Sequence, residues 1–402
     1  MGILSLSELK FAGKKALVRV DFNVPLSDDG SIADTLKISE SLPTIRYILK
    51  QGGSVILFSH LGNLDKSQNR KDSKFSLRPC GIALSKLLGQ EVLFAEDCLG
   101  EETKKKVTDL KEGQVLLLEN LRFYPAEEKP ELDPSFAETL ASYGDVYIND
   151  AFATCHRKHS SITCLPKKFL GAAAAGFLLE KEIKALSRLS TSPLRPFHAI
   201  VGGSKVSSKL GVLRSLLEKA DALYIGGAMA FTFFKALGYR IGNSLFEPDL
   251  VPRATDLMNQ CAKRKICLFL PEDILEADAF SNNASKKIIT ISKEGIDEGW
   301  QGMDIGPKTL TAWQHSLKEA GSIFWNGPVG VFELPAFSEG TFSLVKFLSS
   351  LSCCKIVGGG DSAAAVHQTG LNKKFTHMST GGGASLEFIE HGTLPGIEAL
   401  TH

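Results

Sequence analysis

The chain has 402 residues, 43% of them hydrophobic, which is enough for two domains of ordinary size, each with a core of its own. Its 46 Lys plus Arg against 45 Asp plus Glu leave a net charge of +1, which excludes a global field that would draw in nucleic acid or an anionic membrane, so any basic site is local. No apolar run is long enough to span a bilayer, and the eight scattered cysteines suit neither a disulfide framework nor a zinc knuckle; a soluble protein of a reducing cytoplasm is expected.

The opening MGILSLSELKFAGKK lacks the apolar core of a leader, and Leu6 stands where a myristoylation signal at Gly2 needs a small polar residue. Apolar runs suited to buried strands follow at 15–20 (KALVRV), 54–59 (SVILFS), 114–120 (QVLLLEN) and 145–150 (DVYIND). Helical spacing separates them in SESLPTIRYILKQ, LRPCGIALSKLL and DPSFAETLASYG, each with apolar residues three and four apart. Strand and helix in alternation predict an α/β domain whose parallel sheet is covered by helices on both faces.

Polar residues gather at the ends of these strands. Asp21 and Asn23 leave the first run two residues apart and so on one side of the extended chain, where they can grip a hydroxyl and a carboxylate. His60 tips the second run, Arg122 follows the third, and His156, Arg157 and His159 follow the fourth. Singly, each reads as a structural residue. Together they describe a site for a small, strongly anionic molecule, and none has the spacing of a metal-binding histidine pair.

A helix-forming stretch and a Ser/Pro-rich break at 192–196 mark the domain boundary, a connecting helix that can double as a hinge. The second half repeats the pattern with FHAIVGG, ALYIGG, KICLFLP, KKIITIS, SIFWNG and KIVGGG, most of them ending in glycine. Ligands of open α/β sheets lie beyond the carboxyl ends of the strands, so these glycines mark a binding edge. In VGGSKVSSKL the expected first helical turn carries Lys205 and Lys209 on one face, four apart, able to converge on a polyphosphate. Neither a P-loop nor a dinucleotide fingerprint is present. IFWNGPVGVFE turns at Pro328 and reaches Glu333, either an acceptor for ribose hydroxyls or a surface glutamate.

The segment CCKIVGGGDSAAAVHQTGLNKKFTHMSTGGGASLEF holds two copies of one pattern: an apolar or β-branched run, three glycines, a small polar residue and a helix. One such triplet reads as an ordinary tight turn. Two in succession, Gly358 to Gly360 and Gly381 to Gly383, read as adjoining phosphate cradles, with Asp361 placed for magnesium. Cys353 and Cys354 fall on an expected buried strand, and all eight thiols are expected to be buried and inert. After the helix at 384–390, the residues HGTLPGIEALTH either fray or pack back on the first domain.

RVDFNVP, SHLG, LLENLRF, HRKHSS, VGGSKVSSKL, GGAMAFTF, WNGPVGVFE, GGGDS and STGGGAS together resemble the phosphoglycerate kinase family, in its order and spacing and over essentially the whole chain. The resemblance implies two Rossmann-like domains with parallel sheets, joined by a hinge helix: residues 1–177 for the glycerate substrate, 178–196 as helix and linker, 197–389 for the magnesium nucleotide, and 390–402 returning to the first domain. It implies a cytoplasmic monomer of glycolysis and gluconeogenesis that transfers the acyl phosphate of 1,3-bisphosphoglycerate to ADP, reversibly and with Mg2+. By position, Asp21, Phe22, Asn23, Lys37, His60, Leu61, Gly62, Asn63, Arg122 and Arg157 would bind the glycerate. Lys205, Lys209, Gly302, Glu333, Gly359, Gly360, Asp361 and Ser362 would bind the nucleotide, with Asp361 on the metal. Lys37, Lys205, Gly359 and Gly382 would face the moving phosphoryl group.

Two departures from the family pattern weaken the glycerate half. Lys37 replaces an arginine and so loses the planar fork that donates two directed hydrogen bonds; Asn63, in SHLGNL, replaces another and removes a charge. Ala153, Ala228 and Ser362 are milder exchanges. An alternative is therefore a nucleotide-binding relative whose kinase activity is impaired at Lys37 and Asn63. A kinase for a different small molecule is disfavoured by Arg122, Arg157 and His60.

Overall fold

The computed structural model describes residues 2–27, 30–63 and 73–401; Leu64 of SHLGNL lies outside them. It divides into two compact units, Met1–Lys184 with Thr393–His402, and Ala185–Gly392. Among the described residues no helix is long and apolar enough to cross a membrane.

In the first unit, strands β1 (Leu4–Ser5), β2 (Lys15–Val20), β3 (Ser54–Phe58), β4 (Val92–Phe94), β5 (Val115–Leu117), β6 (Val146–Asp150) and β7 (Ala173–Ala175) form one parallel sheet in the order β1-β7-β6-β2-β3-β5-β4. Val18, Val20, Val55, Leu57 and Ile148 pack against Ile38, Ile45 and Ile48 of the helix Leu36–Lys50 and against Cys80 and Leu84 of the helix Arg78–Leu88. Each fully buried aliphatic side chain contributes about 1.5–3 kcal/mol. The chain builds outward from β2 through β3, then returns to lay β6 on the other side. The switch point therefore falls between β2 and β6, the place where open α/β sheets hold their ligands.

An all-alanine strand, β7, pairs Tyr147 with Ala173 and Asn149 with Ala175. Alanine favours helix, and here the sheet ladder overrides that preference, so the helix begins only at Phe177 and runs to Thr191. Its first N–H groups are taken up by β6 and the helix Leu36–Lys50: Leu178 and Leu179 donate to Asp150 Oδ1 at 2.9 and 3.3 Å, and Phe177 donates to Thr44 Oγ1 at 3.0 Å. Gly176 has no room for a Cβ against the Asp150 carboxylate.

Burial holds the Asp150 carboxyl up at about 7, against the Thr44 hydroxyl and backbone donors that pull it down. Because this lies above the value of about 4 for an unfolded aspartate, the native state holds the extra proton between those two values. Stability is therefore expected to fall as pH rises through that window. Asp150→Asn should flatten the fall in a series of urea unfolding curves, and equal slopes in variant and parent would refute the assignment.

The second unit holds β8 (Phe197–Val201), β9 (Ala222–Ile225), β10 (Cys267–Phe269), β11 (Asp273–Ala277), β12 (Lys286–Thr290), β13 (Gln301–Ile305), β14 (Ser322–Asn326), β15 (Cys354–Gly358) and β16 (His377–Met378). Six of them form a parallel sheet in the order β10-β9-β8-β14-β15-β16, with its switch point between β8 and β14. Trp313, Tyr224 and Trp325 centre its core, and Tyr224 stacks on Phe269 with ring centroids 4.6 Å apart.

Three expectations need correction here. The run at 286–292, grouped above with the strands of the parallel pattern, pairs antiparallel with β11 in a separate sheet of order β12-β11-β13. The connection at 278–285 is too short for a crossover of a dozen or more residues, so only a hairpin can close it. The thiols are not uniformly buried: Cys267 is exposed and Cys164, Cys353 and Cys354 are half-buried, because Cys267 opens the edge strand β10 and the Cys353–Cys354 pair stands at the entry to β15. Finally, the helix expected to begin near Lys205 starts at Leu210, after a 3-10 turn at Ser207–Lys209. Glu247 accepts the backbone N–H of Ser207 at 2.9 Å and also bonds its hydroxyl, which holds that turn apart from the helix.

The helix expected at 384–390 spans Gly382–His391. Beyond it, Gly396 donates to the Cys155 carbonyl at 2.8 Å, and Thr401 bridges to Ile3.

Candidate functional site

The glycerate residues expected from the sequence collect at the carboxyl edge of the first sheet. Asp21 follows β2, and its Oδ2 accepts from Lys37 Nζ at 2.7 Å while its Oδ1 accepts the Asn23 N–H at 3.2 Å. Asn23 is thereby drawn into a turn, and its Oδ1 accepts from the Gly62 N–H at 2.9 Å. Phe22 is buried, its N–H donating to Ser59 Oγ at 2.8 Å. Leu61 is buried and donates to Asn120 Oδ1 at 3.3 Å. Gly62 has φ +73, and a Cβ there would sit 2.6 Å from the Phe75 ring, so both backbone and space require glycine.

Arg122 is buried and donates to the Gly62 carbonyl and, at 3.4 Å, to Asn63 Oδ1, with Glu128 at 3.5 Å from its Nε. Arg157 is half-buried, with its Nε 3.4 Å from His156 Nε2. His60, at the tip of β3, is held well below its ordinary pKa, first by burial and then by Arg19, Arg122, Lys37 and Arg157. His159 is pushed down to about 3 by burial and the same arginines. Both imidazoles are neutral at physiological pH, and the positive charge of the site resides in its guanidinium and ammonium groups.

In the second unit the strand ends around the β8/β14 switch point enclose a cleft of about 440 Å³ lined by Gly203, Phe231, Gly302, Pro328, Glu333 and Asp361, among others. A second hollow of about 180 Å³ adjoins it, lined by Lys209, Asn326, Gly359, Asp361, Ser362 and Gly382. Lys209 Nζ donates to Asn326 Oδ1, Asn326 Nδ2 donates to the Gly358 carbonyl at 2.7 Å, and the Gly327 N–H donates to Ser362 Oγ at 2.6 Å. Burial lowers Lys209 to about 8, with Asp361 opposing. Lys205 and Gly360 are exposed; Gly360 joins Lys209 in the lining of the smaller hollow, and Lys205 lines neither cavity.

The two glycine turns lie against each other. Gly359 has φ +101, and a Cβ there would stand 2.9 Å from Asn326 Nδ2; one on Gly382 would stand 3.3 Å from the Gly359 Cα. The first turn opens the helix Gly360–Gln368 and the second opens Gly382–His391, so backbone N–H groups from two helix starts converge where an anion can be bound. Asp361 is exposed at the first of these starts. Among the described residues no group of three or more His, Cys, Asp or Glu is placed to hold a metal; a lone carboxylate suits magnesium carried chiefly by substrate phosphates.

Several residues of the edge escaped the sequence reading. Asn120 donates to the Leu61 and Phe75 carbonyls at 2.8 and 2.9 Å and accepts from Arg122 N–H at 3.0 Å, fixing three segments at once. Arg19, Glu127 and Ser161 form a buried polar chain behind His60. Arg19, flanked by the apolar residues of ALVRV, was the available signal, since a charge on a strand buried on both faces requires partners.

A glycine-walled hollow with an adjoining cleft at one switch point, and an arginine- and histidine-rich edge at the other, fit a two-unit α/β kinase acting on a small anionic substrate. Comparison with known proteins makes the class specific. The phosphoglycerate kinase family model matches residues 6–392. A phosphoglycerate kinase of Prochlorococcus marinus is 47% identical, covering 100% of this chain and 98% of its own, and one of Anaeromyxobacter dehalogenans is 48% identical over 99% of both chains. The solved structure of phosphoglycerate kinase from Coxiella burnetii aligns with a TM-score of 0.86 at 36% identity, covering 99% of this chain and 98% of that one. The chain belongs to the phosphoglycerate kinase family. The alternative of a relative with impaired kinase activity finds no support in these comparisons.

Proposed function

We propose that the chain transfers the acyl phosphate of 1,3-bisphosphoglycerate to ADP, reversibly, giving ATP and 3-phosphoglycerate, with the glycerate held by the first unit and the nucleotide by the second. The observation that carries this reading is the apposition of the Gly359 and Gly382 turns beside Lys209, a cradle for a phosphoryl group that supplies charge and directed N–H groups but no nucleophile. None is required. The attacking oxygen belongs to a carboxylate or a phosphate, already ionised at neutral pH, so catalysis reduces to in-line positioning, exclusion of water and neutralisation of charge.

In this reading Arg122, Arg157 and the neutral His60 orient the glycerate, and Lys37, held by Asp21 at 2.7 Å, faces the moving phosphoryl group. Gly302 and Glu333 line the nucleoside cleft, Lys205 and Lys209 meet the phosphates, and Ser362 braces the turn that carries Gly359 and Gly360. Magnesium arrives as the nucleotide complex, with Asp361 as its protein contact, and offsets the charge of the phosphates. The transfer itself requires a dry, in-line geometry around the phosphoryl group. The protein acts as a cytoplasmic monomer; a tobacco relative, 48% identical, is named as cytosolic.

A coupled assay with ATP and 3-phosphoglycerate tests the activity. Absence of turnover alongside normal calorimetric binding of ADP would overturn it. The same assay tests the weakened glycerate half: Lys37→Arg with Asn63→Arg is expected to raise kcat/KM by about tenfold or more, the worth of one directed charged hydrogen bond. An unchanged or lower value would show that the neighbouring side chains already compensate.

A further inference from the structure

A buried polar chain of Arg19, Ser161 and Glu127 stands behind His60 and fixes the role of one of its ring nitrogens. Arg19 is fully buried on β2. Its Nε donates to Ser161 Oγ at 2.9 Å, one terminal nitrogen donates to the Val20 carbonyl, and the other lies 3.2 Å from His60 Nδ1. Ser161 in turn donates its hydroxyl to Glu127 Oε1 at 2.6 Å and its N–H to Glu127 Oε2 at 3.0 Å. Glu127 is fully buried, with His159 Nδ1 at 3.8 Å. The guanidinium is thus anchored at each of its nitrogens.

A guanidinium can only donate. In the contact with Arg19, His60 Nδ1 must therefore be the acceptor, and a neutral imidazole that accepts at Nδ1 carries its hydrogen on Nε2. The Asp21 carboxylate near the same nitrogen does not compete for it: its Oδ1 is 4.0 Å from Nδ1, beyond hydrogen-bond reach, and accepts from Asn23, while its Oδ2 is engaged by Lys37.

We propose that Arg19 is a positioning residue that locks His60 in the Nε2–H tautomer, so that the imidazole offers the glycerate substrate a donor and never an acceptor. Selectivity follows, because a site that presents a fixed donor favours ligands with an oxygen acceptor at that point and leaves the donor unpaired with ligands that lack one. The groups that face the ring, Arg19, Arg122, Lys37 and Arg157, are all cations apart from Asp21. They oppose protonation together with burial, so this donor persists across the neutral range. The inference rests on the placement of the glycerate at His60 given above, and its test separates the two.

The experiment is a long-range 1H–15N imidazole spectrum of the full chain, 15N-labelled at histidine and free of ligands, with His60 assigned by its absence in His60→Gln. The expected pattern has Nε2 protonated and Nδ1 bare. Arg19→Met should replace it by mixed tautomers or by an imidazole that titrates in the ordinary histidine range, and should raise KM for 3-phosphoglycerate by about tenfold with KM for ATP unchanged. Arg19→Lys, which retains a donor, should restore part of the Nε2–H pattern. A parent spectrum showing Nδ1–H or imidazolium overturns the lock, whether or not the methionine variant folds, as does an Arg19→Met spectrum identical to the parent's. A tautomer that changes in Arg19→Met while KM stays constant upholds the lock and removes the glycerate from His60.

Discussion

Lys209→Met is expected to lower kcat by about 10²- to 10³-fold, the scale of removing one preorganised charged donor from a developing transition state, while leaving KM for 3-phosphoglycerate unchanged. The lysine is not a mobile surface cation. Its Nζ is tied to Asn326 Oδ1 at the mouth of the smaller hollow, beside Gly359 and Gly382, and so meets a phosphoryl group with little reorganisation. The same burial sets a pH dependence. With its pKa down at about 8, the free enzyme loses the ammonium above that value, whereas a bound polyphosphate favours it. Nucleotide affinity should therefore fall as pH rises past about 8, with proton uptake on binding. The methionine variant should lack that inflection. Steady-state rates across the alkaline limb check both points, and a loss smaller than tenfold would remove Lys209 from the reaction.

Gly359→Val is expected to abolish nucleotide binding, with affinity down by at least about 10²-fold, while calorimetry still detects 3-phosphoglycerate. Two costs add. At φ +101 a β-branched residue is strained by roughly 1–3 kcal/mol, and its Cβ would stand 2.9 Å from Asn326 Nδ2, inside van der Waals contact. Asn326 cannot retreat freely, because it bonds both Lys209 and the Gly358 carbonyl. The valine therefore displaces the cation as well as crowding the cradle. Retained nucleotide affinity in a folded Gly359→Val protein would show that the turn opens without cost and that the phosphate lies elsewhere.

How much of this was legible beforehand depended on whether a signal was local. β2, β3, β6, β8 and β14 are runs of apolar residues buried on both faces, and period and composition alone identify them. The glycine turns were legible for a related reason: each triplet interrupts a strand-to-helix junction, where glycine answers to backbone angles. What the sequence hid was tertiary. Ala173–Ala175 carries a helical preference and becomes a strand because β6 offers it a ladder. Lys205 and Lys209 have helical spacing, yet Glu247, some forty residues downstream, reshapes the turn between them. Lys286–Thr290 reads like its parallel neighbours, and only the shortness of its connection to β11 betrays the hairpin. In the site, the isolated polar residues at strand tips could be named from motif and resemblance. Arg19, Asn120, Glu127 and Ser161 could not, since their roles consist of bonds to partners remote in the chain.

The first unit is assembled from two pieces of chain, with all of Ala185–Gly392 between them. Its second piece is docked closely: a Cβ on Gly396 would lie 2.6 Å from Ile162, and the Gly396 N–H caps the Cys155 carbonyl next to the His156–Arg157 corner. During translation a nascent chain emerges in order, so the first unit can form its sheet early but cannot be sealed until Ala185–Gly392 has been made. The second unit, continuous in sequence, has no such wait. A chain cut before Thr393 would then leave one unit whole and the other open beneath its own arginine corner.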